Sequence, residues 1–533
     1  MVPSITRIVR RLKRQSLKPP DMESLRALGN AGNWVELEEQ GRLVLARIPG
    51  HEEALTLVAY SLQQRSRLGE SLDFALRAAA VSTTMGHPHF LAGFALKGLG
   101  RVAEAVGHFR RALELDPDNA EDLRYLMESL AAAQGVAAAA AEYAEHCAKV
   151  GRAVEIAVAR ISTVPAWATA CGQGLLDCGD PEEIPFEEPQ FWNKPPSPER
   201  HTATTWRPYV AEVTGARILS GCGFVLTPDG AALNDLAGHP RFGSYVGFNH
   251  EEAVLGKTPG EVLLDLSGFQ TREIDAGSLL AGSASNAFGH WFPDILPKLQ
   301  FLQQHPDFES LPIIVDDAMP QSHFDHLRRF ADNPLIRLKA GELLICRRLL
   351  VATPPSFCPV EILPNEIPMA EWPGLSPRAL RFLQGGAARP VGGPAVGRFF
   401  LGRRKMKWRR LLNEDEIVGE LVKLGFEAVY PEEMDAAAQI ALFQRAAWIV
   451  APNGSALLNL IFARPEVKLL ILSQPGLFNW GTFQGPMRSI GYDPVWLWGE
   501  NAATGDDKHA DYSVSVRDIG QALSEMGLNE SRR

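Results

Sequence analysis

Three short stretches hold residues whose types and spacing could do chemistry. The first is the turn Pro452-Asn453-Gly454-Ser455, between the apolar run WIVA (448–451) and the apolar segment ALLNLIF. Gly454 has no side chain to block a ligand. Ser455 can donate a hydrogen bond, and a helix starting there presents unpaired N–H groups with partial positive charge, which makes a diphosphate cradle. Any strand-to-helix turn can carry Gly and Ser, so a plain turn reads equally well from these four residues. The second stretch is RRKMKWRR (403–410), in which six of eight residues are basic. Arg403, Arg404 and Arg409 could grip phosphate oxygens in bidentate fashion. A solvated basic loop is the competing reading for the cluster as a whole, and Arg403, nearest the preceding strand, is the residue best placed for an anion. The third is SASNAFGHWFPDILPKLQFL (283–302). A helix there puts His290 and Asp294 one turn apart on one face. A carboxylate beside an imidazole raises its basicity and fixes its orientation, as a general base requires. Packing of His290 and Trp291, with Asp294 in a surface pair, is the alternative. Pro293 and Pro297 predict an irregular or broken helix.

These residues need elements to position them. After Pro208 strands and helices alternate. RILSGCGFVLTPDGAALND (217–235) reads as two strands around a Pro-Asp-Gly turn, followed by an apolar helix near 286–304, a strand at 312–315, a helix near 321–331 and a strand at 342–352. The second half alternates more cleanly. It has strands at 399–401, 426–430, 448–451 and 468–472, and helices between them, the first opened by a capping-box-like Asn413 and Glu416. Strands separated by such helices imply a parallel sheet, whose ligands bind beyond the carboxyl ends of the strands. Two α/β halves joined by a Pro/Gly-rich linker predict a cleft between them.

Ahead of these halves, residues 34–150 repeat with a period of 34. Glu36, Glu70 and Glu104 coincide in that register, as do Ala75, Phe109 and Tyr143, and Ala78 and Ala112. In the unit 103–122, small residues at Ala105 and Ala112 let two helices approach while Phe109 fills the gap. The pattern resembles the tetratricopeptide repeat, a helix–turn–helix module of this length, and predicts an α-solenoid. Such an array binds a protein partner or serves as a spacer. Residues 5–14, ITRIVRRLKR, form a basic amphipathic stretch that could lie on an anionic membrane surface. A frayed tail is the alternative.

Composition narrows the classes. The formal net charge of −10 argues against a nucleic-acid binder. No apolar run approaches the ~20 residues that cross a bilayer, and no signal-peptide core opens the chain. The six cysteines fit no zinc spacing. A cytoplasmic protein is expected, peripheral to the inner face of a membrane if residues 5–14 bind one.

Together, and in this order, the three stretches resemble glycosyltransferase family 61. That family carries an Asn-aromatic-aromatic-His-Trp run before Asp-Ile-Leu-Pro, here NAFGHWFPDILPKL. It then has a strand ending in Arg before a basic stretch and Asn-Glu, here FFLGRR and RRLLNEDEI. A Gly-Phe-Glu-Val strand follows, here LGFEAVYPEEM, and last a Pro-His-Gly-Ala-Gly-Leu turn with a downstream Asn, here PNGSALLNL. The likeness covers roughly residues 210–520. It implies a GT-B fold of two Rossmann-like domains and an inverting transfer from a nucleotide sugar to a glycan or protein acceptor, in a surface polysaccharide or glycoconjugate context. By motif position, Arg403, Arg404, Arg409, Asn453, Gly454, Ser455 and Asn459 would serve the donor. His290 and Asp294 would be catalytic, with Asn286 and Trp291 on the acceptor side. Arg and a helix N-terminus can stabilise the departing diphosphate, so no essential metal or other cofactor is expected. The sequence departs from the family in two places. Asn453 stands where His is usual, with Ser455-Ala456 for Ala-Gly, and the aromatic pair thins to Ala287, Phe288 and Gly289. A different donor, a weaker donor site or lost activity would each produce these changes.

The expected organisation is therefore multidomain: a basic N-terminus (1–20), an all-α tetratricopeptide-like solenoid (21–161), a Pro-rich linker (162–208), an acceptor-side α/β domain (209–358), a second linker (359–397) and a Rossmann-type nucleotide-sugar domain (398–533). The competing reading is a repeat scaffold carrying an inactive transferase-like part. A nucleotide-sugar epimerase is disfavoured, because no G-x-G-x-x-G follows a strand.

Overall fold

The computed structural model describes residues 22–195, 200–238, 251–356, 374–386, 395–403, 409–474, 481–501 and 510–528. The basic stretch 5–14 and Arg404 lie outside the described residues. Contacts divide the chain into two compact units: residues 1–159 with 253–267, and residues 160–252 with 268–533.

The first unit is built from helices in antiparallel pairs: α1 (Met22–Asn30) with α2 (Trp34–Arg47), α3 (Glu52–Gln64) with α4 (Leu68–Val81), α5 (His87–Gly98) with α6 (Val102–Leu115), and α7 (Ala120–Gln134) with α8 (Val136–Lys149). The second helix of each pair starts 34 residues after the last, at Trp34, Leu68, Val102 and Val136, so the period read from the sequence is the period of the fold. Local chemistry sets the boundaries. Asn119 accepts hydrogen bonds from the Glu121 and Asp122 amides to start α7, and Gly135, at φ 95°, turns the chain into α8. The repeat positions Ala75, Phe109 and Tyr143 are all buried. Phe109 packs where α5 offers only Gly93; a Cβ there would lie 2.8 Å from the ring.

A β-hairpin, Val254–Lys257 and Glu261–Asp265, ends this array. Its residues fall in the segment expected to be α/β, yet they pack on α7 and α8. Leu263 is fully buried in the array's core. A Cβ on Gly256 would lie 2.8 Å from the Ala131 Cβ and 2.9 Å from the Met127 carbonyl oxygen. The Tyr143 hydroxyl donates to Asp265, and Arg152 pairs with the same carboxylate at 3.2 Å. A solenoid's last repeat has an apolar face with no next repeat to cover it. Here the hairpin covers it.

The second unit opens with the Pro-rich linker, which carries regular structure rather than running extended throughout: a helix at Val164–Cys171, capped by Thr163, and a hairpin of Glu183–Glu187 with Arg200–Thr204. A first sheet contains β1 (Tyr209–Leu219), β2 (Gln270–Leu279), β3 (Ile313–Asp316), β4 (Leu335–Leu338) and β5 (Glu342–Ala352). The order β4-β3-β2-β5 is parallel, and β1 adds to β5 antiparallel. This half is thus a mixed sheet, unlike the Rossmann type expected of it. A second sheet of β6 (Gly397–Leu401), β7 (Glu427–Val429), β8 (Ala446–Pro452), β9 (Lys468–Ser473) and β10 (Val495–Trp498) is parallel throughout, in the order β7-β6-β8-β9-β10. The chain order reverses between β6 and β8, which is where open α/β sheets bind ligands. One hydrophobic core joins the two halves; Trp291, Ile313 and Leu350 share it with Phe399, Ile449 and Leu469.

Two local expectations change. Asn413 does not cap the helix Glu414–Lys423; its side chain instead pairs with the backbone of Val514 in both directions. The apolar segment after the PNGS turn is a 3-10 helix, Ser455–Phe462, rather than an α-helix.

Candidate active site

The second sheet places two of the three stretches side by side. β6 ends at Leu401, and Arg403 follows it. β8 ends at Pro452, and Asn453 follows it. The Arg403 guanidinium Nη1 donates to the Asn453 carbonyl at 2.6 Å, while the Asn453 amide donates to the Leu472 carbonyl. The backbone of Asn453, not its side chain, therefore holds Arg403. Gly454 is extended, at φ 176°, so its need for glycine is spatial: a Cβ would lie 3.0 Å from Arg403 Nη1. Ser455 is exposed at the start of the 3-10 helix.

Arg409 completes a pair of cations. It sits in left-handed backbone conformation, at φ 56°, and its Nε is buried without a hydrogen-bond partner among the described residues. Burial lowers its pKa, and the neighbouring Arg403 charge lowers it further. Burial likewise depresses Arg403, against the opposing pull of Tyr512, Glu432 and Glu414. Among the described residues, no carboxylate forms an ion pair with Arg409. Two half-buried guanidinium groups that repel each other make a site that an anion would stabilise.

The third stretch is the broken helix predicted from its prolines. Phe288–His290 is a single turn, Trp291–Ile295 a π-turn, Leu296–Lys298 a 3-10 turn and Leu299–Leu302 a last α-turn. Pro293 and Pro297 lack the N–H groups that a regular ladder would use. π-turns recur at functional sites. His290 and Asp294 meet, Nδ1 to Oδ2, at 3.3 Å, with both side chains partly accessible. Since the carboxylate accepts, Nδ1 carries a proton, and in the neutral form of the ring Nε2 is the nitrogen that could accept one. This segment reaches the anion turn: a Cβ on Gly289 would lie 3.3 Å from the Ser455 Cβ.

Other expected residues are placed differently. Asn459 is fully buried; its amide donates to Gln439 Oε1 at 2.9 Å and to the Ala456 carbonyl, so it braces the 3-10 helix instead of facing a donor. Trp291 is also fully buried, its ring stacked on His323 at 5.6 Å, and offers no surface to an acceptor. Asn286 is exposed in the loop before His290. The sequence reading missed His323 and His326 on the helix Gln321–Leu327, both buried against the His290 segment. Burial holds each near pKa 4, hence neutral. Their spacing of three on a helix was the available signal, hidden because buried histidines usually only pack.

Comparison with known families agrees with this layout. Residues 288–470 match the family described as Glycosyltransferase 61, and residues 87–119, which hold α5 and α6, match a tetratricopeptide repeat. The chain thus holds a segment similar to glycosyltransferase 61, preceded by helical repeats of which one stretch matches the tetratricopeptide repeat. No curated protein matches it. Solved structures that resemble part of it include MamA 41-end from Desulfovibrio magneticus RS-1, 21% identical and covering 24% of this chain and 71% of that one, with a TM-score of 0.22. YrrB, described as a TPR protein with an unusual peptide-binding site, is 16% identical over 27% and 73%, with a TM-score of 0.23. The Arabidopsis OM64 TPR domain is 17% identical over 20% and 86%, with a TM-score of 0.19. Among the described residues, no helix is long and apolar enough to cross a membrane, and no group of three or more His, Cys, Asp or Glu side chains is set to hold a metal ion.

Proposed function

We propose that this protein is an inverting glycosyltransferase of GT-B type, moving a sugar from a nucleotide sugar to a glycan or protein acceptor in surface polysaccharide or glycoconjugate synthesis. The observation that carries the reading is the Arg403–Arg409 cation pair at the point where strand order reverses, with the His290 segment against the same turn. The donor diphosphate would sit on Arg403, Arg409 and the Gly454–Ser455 turn, with Arg404 as a further basic ligand. His290 Nε2 would take the proton from an acceptor hydroxyl while Asp294 stabilises the imidazolium. The acceptor oxygen then attacks the anomeric carbon opposite the diphosphate. The carbon–oxygen bond to the nucleotide breaks, and the charge that develops on the leaving phosphate falls on the two arginines. In this reading the arginines serve where other transferases use a divalent cation, and turnover is expected to survive a chelator.

Asn453 in place of the family His does not undo the arrangement, because that position contributes its backbone. The tetratricopeptide array would dock the acceptor or a partner protein, working at the cytoplasmic face of a membrane. The test is a thermal-shift panel of UDP, GDP, CMP and their sugar conjugates, with Arg403→Ala as control. A nucleotide at about 100 times its Kd should stabilise its unit by roughly 2.7 kcal/mol. Stabilisation of the parent chain and not of the variant is the expected result. Indifference to every nucleotide would favour the scaffold reading.

A further inference from the structure

The His290 segment poses a mechanical problem. Its turns change type three times within fifteen residues, so no continuous ladder of backbone hydrogen bonds holds the imidazole. The loop before it is also irregular, with Ala284 at φ 57°. A catalytic base must be held far more tightly than such a backbone allows.

Side chains supply the missing hold. Asp316, the last residue of β3, is buried. One of its oxygens accepts from the Gly282 amide at 2.9 Å and from the Ser285 hydroxyl at 2.7 Å, and the other accepts from the Gly221 amide at 3.2 Å. Ser285 passes the constraint on: its carbonyl meets His323 Nδ1 at 3.0 Å, and the His323 ring stacks on Trp291 with an interplanar angle of 4°. A carbonyl can only accept, so Nδ1 of His323 carries a proton, and burial keeps the ring neutral. The chain therefore anchors the backbone five residues before His290 and the indole immediately after it.

We infer that Asp316, Ser285 and His323 are positioning residues for proton abstraction, acting through the Asp316–Ser285–His323–Trp291 chain on His290. The inference rests on the reading of His290 as base. Asp316 stands at the carboxyl end of a parallel strand, where α/β sheets carry ligand-directed groups; its backbone pairs with Leu338 of β4, while the hydrogen bonds of its carboxylate go to the loops at Gly221 and at Gly282–Ser285. A carboxylate is the one side chain of this size that accepts from three donors there. An amide has a single acceptor oxygen and would release one loop or the other.

The test uses the intact chain. Ser285→Ala removes only the hydroxyl link. His323→Phe keeps an aromatic ring on Trp291 and removes the bond to Ser285. Hydrogen exchange of peptides covering 282–291 needs no substrate. Both variants should exchange at least tenfold faster there, with melting temperatures close to the parent's. Nucleotide release from whichever sugar nucleotide stabilises the protein should show kcat reduced at least tenfold and donor KM within twofold. Unchanged exchange at 282–291 overturns the proposal whatever the donor, and so does faster exchange with unchanged kcat. His290→Ala run in parallel separates the two layers. Unimpaired release in that variant removes the base reading, whereas loss there with full activity in Ser285→Ala and His323→Phe removes only the positioning chain.

Discussion

Gly289 and Ser455 lie so close that a methyl group on the first would stand 3.3 Å from the Cβ of the second. These residues are far apart in the chain: Gly289 lies in the broken helix that follows β2 of the first sheet, and Ser455 follows β8 of the second. In the proposed reading, their contact brings the His290–Asp294 dyad and the Arg403–Arg409 pair to one place. Gly289→Leu should push the segments apart without touching either set of chemical groups. An error of about 1 Å can cost about 10²-fold in rate. We expect that order of loss in kcat, with nucleotide-induced stabilisation preserved in thermal shift.

Removing a charge from the cradle should have opposite effects with and without ligand. Arg409 is a half-buried cation beside another cation, and its φ of 56° is a conformation that side-chain-bearing residues rarely adopt. Arg409→Met keeps the volume and relieves the repulsion. Without nucleotide the variant should match the parent's stability or exceed it by about 1 kcal/mol, a typical gain when a strained functional group is removed. Adding nucleotide should then produce little or no shift. A variant destabilised by itself and still nucleotide-responsive would contradict the cradle.

The dyad can be probed by one atom. Asp294→Asn preserves shape but can neither hold the imidazole in its Nδ1–H form as firmly nor stabilise the protonated ring. General-base catalysis contributes about 10²–10⁴-fold, and most of that should vanish from kcat while donor KM changes little. Equal kcat in Asp294→Asn and the parent would show that the dyad only packs.

Glu251 makes a pH prediction. Burial pushes its carboxyl up to about 7, opposed by hydrogen bonds from the Gly223 amide, Ser283 and Cys222, and assisted by the Asp316 charge. The folded pKa lies above the unfolded value, so the native state binds the proton more tightly. The stabilisation is complete below the unfolded value of about 4.5 and is lost as pH rises through about 7. At up to about 1.4 kcal/mol per unit, the full effect is on the order of 3 kcal/mol. Glu251→Gln should be the more stable chain at pH 8 and lose that advantage by pH 5. Urea midpoints at the two pH values would decide it.

The array's hairpin cap should be worth measuring directly. Leu263 is fully buried among the repeat helices, so Leu263→Ala should cost about 2–5 kcal/mol. Helical circular dichroism against urea should show the loss, and a midpoint unchanged from the parent would mean that the hairpin does not support the helices.

Much of this was legible in the sequence. The 34-residue register reappears in the helix starts because small and aromatic positions such as Ala75, Phe109 and Tyr143 are dictated by helix-to-helix distance, which is a local property. Four of the five strands of the second sheet were legible for a similar reason: buried parallel strands read as short apolar runs between caps and glycines, whereas β10 went unread. The mixed first sheet was harder to read, since β1 and β5 pair antiparallel across more than a hundred residues and no local pattern encodes that partner. Within the candidate site, Arg403 and the PNGS turn stood out because charge and glycine are visible in isolation, and the fold places them side by side. Asn459 and Trp291 misled because polar and aromatic residues near a motif look ligand-facing until burial is known. Asp316 carried no signal at all; its three hydrogen bonds come from two loops that only the fold brings together.

The hairpin that closes the repeats also sets a timetable. The last tetratricopeptide helix ends at Lys149, but its cover is encoded at 254–265, beyond a long stretch of the other unit. A ribosome adding about 5–20 residues per second leaves the apolar end of the array bare for on the order of ten seconds. During synthesis the exposed surfaces of Ala139, Tyr143 and Cys147 are therefore available to chaperones, or to a neighbouring nascent chain. The array matures only after part of the second unit has been made, so a shortened chain ending near residue 160 would inherit permanently what the full chain passes through briefly.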